Sequence, residues 1–112
     1  DVITDGVYFE FEQAVSPNWQ IACANGGVIT QVVTGAVAAS GVYNEFRAKG
    51  NAGSTQVDFY IDDVLVGSIT TNIPKLADTN YCAGQLQKTM GAIARSMRLD
   101  YYYFGYSFLS QR

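Results

Sequence analysis

The residues in this chain best suited to do chemistry are carboxylates, and the first pair is Glu10 and Glu12. Two positions apart on a strand, they point to one face with their backbones roughly 7 Å apart. A pair of this kind can supply an acid and a nucleophile for glycoside hydrolysis. The residues around it do not form the three-acid motif of jelly-roll glucanases, and an ordinary solvated strand face explains the pair more simply. Asp62 and Asp63, with Asp58 nearby, make an oxygen-rich group of the sort calcium favours, and Asp78 with Asn80 makes another. A hairpin turn accounts for Asp62-Asp63 better, because Asp tolerates left-handed backbone angles. The expectation is no catalytic residue, no metal and no cofactor.

Other chemistries fall away for want of parts. The chain has no histidine, which removes the commonest general base and metal ligand together. Neither a Ser-His-Asp nor a Cys-His arrangement can be built. Gly26-Gly27 lies between strands rather than before a helix, so it does not read as a phosphate loop. Arg95, Arg98 and Arg112 are too few and too scattered to track a phosphate backbone, and the net charge is −3, so nucleic acid is not an expected partner. No 18-residue apolar stretch exists, so no transmembrane helix is expected.

Aromatic side chains remain: eight Tyr, six Phe and one Trp, enough to build a stacking platform or an interface. Trp19 and Tyr60 are candidates for a ligand or an interface, as is Tyr43, although the core is the better home for Trp19. Tyr102, Phe104, Tyr106 and Phe108 alternate along one side of the last strand. If exposed together they would form a patch that needs a partner, and a protein neighbour such as an identical subunit is expected before a glycan.

The elements that must carry these residues follow a period of two. Strands are expected at residues 6–12, 19–23, 28–34, 42–49, 55–61, 64–70, 81–88 and 96–108. In the first, Val7, Phe9 and Phe11 share a face. Phe46 and Ala48 share one in the fourth, and Val57, Phe59 and Ile61 point inward in the fifth. The sixth holds Leu65 and Ile69, with Gly67 between them. Turns are expected at Ser16-Pro17-Asn18, Asn25-Gly26-Gly27, residues 50–54 and Asp62-Asp63, and Pro74 ends the sixth strand. Residues 89–95 read as a loop. About eight strands at this spacing predict an all-β fold, an antiparallel two-sheet sandwich.

With 112 residues the chain is expected to form one domain with a real core. Only 15% of residues are charged while 48% are hydrophobic, which suits a β-protein packed against neighbours better than a freely diffusing enzyme. Cys23 and Cys82 lie 59 positions apart. A disulfide there would contribute roughly 4 kcal/mol in the chain-entropy model; two buried thiols acting as small hydrophobes are the simpler reading. No signal peptide is visible, and with Asp1 rather than Met at its start the chain reads as a fragment, a processed product or the ordered part of something longer.

The segments GVYNEFRAKGNAGSTQVDFYIDDVLVGSITTNIP and GQLQKTMGAIARSMRLDYYYFGYSF resemble a concanavalin-like, lectin-type β-sandwich found in bacteriophage structural proteins. The matching positions are Val57, Phe59, Tyr60, Ile61, Leu65, Val66 and Gly67, then residues 70–74, Lys88, Thr89, Leu99, Asp100 and Tyr101. The resemblance spans roughly residues 6–104 at the level of pattern. Asp62-Asp63 departs from the commoner Asn-Gly or Asp-Gly turn, and strands often found ahead of this block are expected to be missing or to lie on another chain. The resemblance implies a lectin-like jelly roll and a non-enzymatic structural or adhesive part of a virion, a tail fibre or a capsid-surface decoration. Other virion proteins and identical subunits, a trimer foremost, would be its partners. The alternative is a carbohydrate-binding module for a host surface glycan.

Overall fold

The computed structural model describes residues 4–39, 41–51 and 53–75. Six strands account for most of them: β1 (Gly6–Glu10), β2 (Asn18–Asn25), β3 (Val28–Val37), β4 (Phe46–Gly50), β5 (Val57–Ile61) and β6 (Val64–Ile69). They form two antiparallel three-stranded sheets of order β1-β2-β3 and β4-β5-β6, with no helix among the described residues. The sheets are stacked, with β1 over β4, β2 over β6 and β3 over β6. This is the all-β, two-sheet antiparallel sandwich that period-two alternation predicts.

Turn chemistry sets each register. Gly26 and Gly27 both have positive φ, 59° and 81°, the backbone that a two-residue hairpin with right-handed strand twist needs. They join β2 to β3, with Asn25 opposite Val28. Asp62 and Asp63 do the same between β5 and β6, at φ 51° and 63°. From Asn51, Oδ1 accepts the backbone N–H groups of Thr55 and Gln56 at 2.8 and 3.1 Å, closing the β4–β5 turn.

The core lies between the sheets. Ile21, Cys23, Val57, Phe59 and Ile69 form its buried centre, with Phe9, Val66 and Ile73 packed against it. The inward set Val57, Phe59 and Ile61 is as the alternation predicts, all three being buried. An aromatic chain crosses from one sheet to the other. Phe9 meets Phe59 edge-on at 5.3 Å and Phe46 at 4.9 Å, and Phe46 meets Trp19 at 4.7 Å.

Several sequence expectations change. The first strand stops at Glu10, leaving Phe11 outside it, 41% exposed but 5.6 Å from Trp19. The fourth begins at Phe46 rather than residue 42, and the third runs on to Val37. The pairing of β5 with β6 shifts between Phe59 and Tyr60, leaving Val66 without a partner on β5. That irregularity turns Leu65 away from the face shared by Gly67 and Ile69. Leu65 is 54% exposed, whereas Ile69 is buried. Cys23 is a free buried thiol, and burial pushes it up to about 11. The expected strands at 81–88 and 96–108, the loop at 89–95, Asp78, Asn80 and Cys82 lie outside the described residues.

Candidate interaction surface

The two sides of this sandwich differ in charge. On one side the sheet edges are β1 and β4. They carry Glu10, Arg47 and Lys49. On the other side the edges are β3 and β6, and neither contains a charged residue. Natural sheets protect open edges with charges, prolines or short strands. The first side follows that rule, and the second does not.

The uncharged side is also apolar. On β3, Val28, Ile29, Val32, Val33 and Val37 are exposed, and on β6 so are Val64 and Leu65. The β-branched residues suit a strand, but here the side chains of an edge face solvent instead of a neighbour. Between the two edges runs an open groove of about 510 Å³, lined by Gly35, Val37, Val64 and Val66 together with the polar Asn44 and Asp62.

The inner end of β3 is irregular. Two extra residues of β3 fit opposite Trp19, between the pairs Asn18–Val37 and Gln20–Val33. Thr34 repairs the broken ladder with its hydroxyl, which donates to the Trp19 carbonyl at 2.7 Å and accepts from the Ala36 N–H at 3.1 Å. The Asn18 side-chain amide donates to the Thr34 carbonyl at 2.7 Å. The regular, exposed part of this edge is therefore residues 28–33. Gly35, a glycine inside an apolar β run, was the sequence signal for this bulge.

The outward face of sheet β1-β2-β3 carries a polar cluster. Gln31 Nε2 donates to Glu10 Oε2 at 2.7 Å and to Gln20 Oε1 at 2.6 Å. Gln20 is buried and its Nε2 has no acceptor. Tyr8 stands on the same face, opposite Ala22. Burial first, and then the charge of Glu10, holds its phenol above the usual range. Glu10 is thus tied into an amide network, and Glu12 lies outside β1 in the following turn region.

The remaining candidates are distributed over the fold rather than gathered. Trp19 is half-buried between Phe11 and Phe46, with its Nε1 lacking an acceptor. Tyr60 lies on the outward face of sheet β4-β5-β6, where the Arg47 guanidinium sits 4.4 Å above its ring. Tyr43 is exposed ahead of β4. Tyr102, Phe104, Tyr106 and Phe108 lie outside the described residues. Asp62 spends its oxygens locally. Its Oδ1 accepts from the Glu45 N–H and its Oδ2 from the Asn44 amide, both at 2.8 Å, and these bonds hold its carboxyl below the usual range. Asp58 is lowered likewise by hydrogen bonds from Ser68 and Gln56. No group of three or more potential metal ligands occurs among the described residues.

No family model, no curated protein and no solved structure matches this chain. The physical character of the surface is what speaks to its use.

Proposed function

We propose that this protein is a non-enzymatic structural component of a bacteriophage virion, a tail fibre or capsid-surface decoration, that assembles through its uncharged sandwich side. The observation that carries the assembly role is the exposed set of aliphatic side chains on β3 and β6, two strands that hold no charged residue. An apolar surface bounded by strand edges that no other described strand pairs is a liability in a solitary protein and an asset in an assembled one. The low share of charged residues, 15%, points the same way. The virion setting rests on the pattern-level resemblance of roughly residues 6–104 to phage structural sandwiches. Partners would be identical subunits, in a trimer or another symmetric assembly, and other virion proteins.

The glycan-binding alternative draws on exposed aromatic rings. Tyr43 qualifies, but Trp19 is half-buried between Phe11 and Phe46, and the Arg47 guanidinium covers a face of Tyr60. Sedimentation velocity of the purified chain across a hundredfold concentration range tests the assembly reading. Concentration-dependent association is the expected result, and a monomer at every concentration would overturn it.

A further inference from the structure

We infer that the partner seated on this side is a second copy of the chain, joined β3 to β3 in antiparallel fashion about a twofold axis near Gln31. The inference rests on the assembly reading above and goes beyond it by naming the edge, the partner and the symmetry.

Four observations lead there. First, residues 28–33 form a regular edge, roughly 20 Å long at about 3.3 Å per residue. Among the described residues no strand pairs with its outer side. Second, that edge is uncharged, so self-pairing sets no like charges opposite one another, whereas a second strand bearing Arg47 and Lys49 would bury cations against valines.

Third, the side-chain pattern is self-complementary. A twofold axis perpendicular to the sheet keeps each face on its own side. With Gln31 on the axis, Ile29 lies opposite the partner's Val33 on the outward face. Thr30 lies opposite the partner's Val32 on the inward face. All four are β-branched, the shapes that pack best across neighbouring strands.

Fourth, the second layer agrees. β6 stacks with β3 on this side and is also uncharged. The same axis therefore brings the exposed Val64 and Leu65 towards their symmetry mates. The product is one continuous six-stranded sheet, β1-β2-β3-β3-β2-β1, with the apolar side of each copy covered by the other. A trimer built on this edge would instead have to join β3 to a different edge of the next copy. The edges left in this layer and on the charged side of the other, β1 and β4, carry Glu10, Arg47 and Lys49.

The test uses the full chain with Cys82→Ser. Gln31→Cys places a thiol on the proposed axis, and Lys49→Cys places one on the guarded edge of the other sheet. Mild oxidation is expected to convert most of the Gln31→Cys chain to a covalent dimer and little of the Lys49→Cys chain. In parallel, Val33→Lys is expected to raise the dimer dissociation constant at least tenfold, with circular dichroism showing the fold unchanged. An associating chain that cross-links through Lys49→Cys, or that ignores Val33→Lys, would overturn the β3 pairing while leaving assembly standing. A chain that never associates would overturn both.

Discussion

Gly67 on β6 lies directly beneath Ile21 on β2: a Cβ built on Gly67 would stand 2.7 Å from Cδ1 of Ile21. The glycine is what lets the two sheets approach at the centre of the core. Ile21 is wholly buried, so its terminal methyl has little room to move aside. Gly67→Ala is expected to cost about 1–3 kcal/mol, the usual range for overpacking a filled core. Ile21→Val removes the obstructing methyl and by itself is expected to cost about 0.5–1.5 kcal/mol. The double variant should be more stable than the sum of the two losses. Urea unfolding of all four proteins measures that coupling, and strict additivity would show that the two residues do not meet as described.

The Asp62-Asp63 turn separates two roles that look alike in sequence. Both residues have positive φ, but Asp62 also binds the chain leading into β4, through Asn44 and Glu45. Asp63 has a single exposed ion pair with Arg47 at 3.4 Å, a type of contact worth about 0–1 kcal/mol. Asp63→Gly relieves the left-handed backbone and is expected to be neutral or stabilising by up to about 1 kcal/mol. Asp62→Gly forfeits the hydrogen bonds and is expected to destabilise. Melting temperatures for the two variants should move in opposite directions, or differ clearly with Asp62→Gly the lower.

The same carboxylate gives a pH dependence. Hydrogen bonds from Glu45 and Asn44 lower the folded pKa of Asp62 below its ordinary value. The unfolded state then binds the proton more tightly than the folded state. The contribution of Asp62 is full above about pH 4, the unfolded pKa, and is lost as pH falls through the lower folded value. The stability gap between the wild type and Asp62→Asn should therefore be widest near neutrality and shrink as acid is added. Urea midpoints at stepped pH would show it; a gap that stays constant down to about pH 2 would contradict the assignment.

Trp19 reports on the aromatic seam, being the one tryptophan in the chain. Phe46 meets it edge-on at 4.7 Å. Phe46→Ala is expected to cost about 2 kcal/mol, less than the 3–5 typical of a fully buried phenylalanine because Phe46 is part exposed. Emission from Trp19 should shift to the red as water reaches the indole. A stable variant with unchanged emission would mean the seam is not packed as described.

Cys23 should be chemically silent in the native protein. It is buried, and with its pKa pushed up to about 11, roughly one thiol in a thousand is ionised at pH 8. In a Cys82→Ser background, a thiol reagent should label Cys23 only in denaturant. Rapid labelling without denaturant would show that β2 opens to solvent.

The strand pattern around the core was legible from the sequence because burial on one face imposes a period of two. Val57, Phe59 and Ile61 alternate with Asp58 and Tyr60, and they point inward. Both two-residue turns were legible too, because Gly26-Gly27 and Asp62-Asp63 are residue types that accept positive φ. The same alternation misplaced Leu65. One unpaired residue, Val66, reverses the faces beyond it, and an apolar strand with aliphatic residues at successive positions gives no local sign of the slip. Glu10 read as a solvated strand residue, and its amide partners, Gln20 and Gln31, come from two other strands.

An all-β chain, the turns that punctuate it and the residues that fill the core follow from local properties, backbone preference and hydrophobic alternation, and can be read along the chain. Which strands end up at the edges is not a local property, because edge and centre are defined by pairing between distant segments. Val28, Ile29, Val32 and Val33 read as ordinary strand hydrophobics; placed on an edge that no other described strand pairs, above a second uncharged edge, they become the surface on which this protein's assembly is proposed to rest.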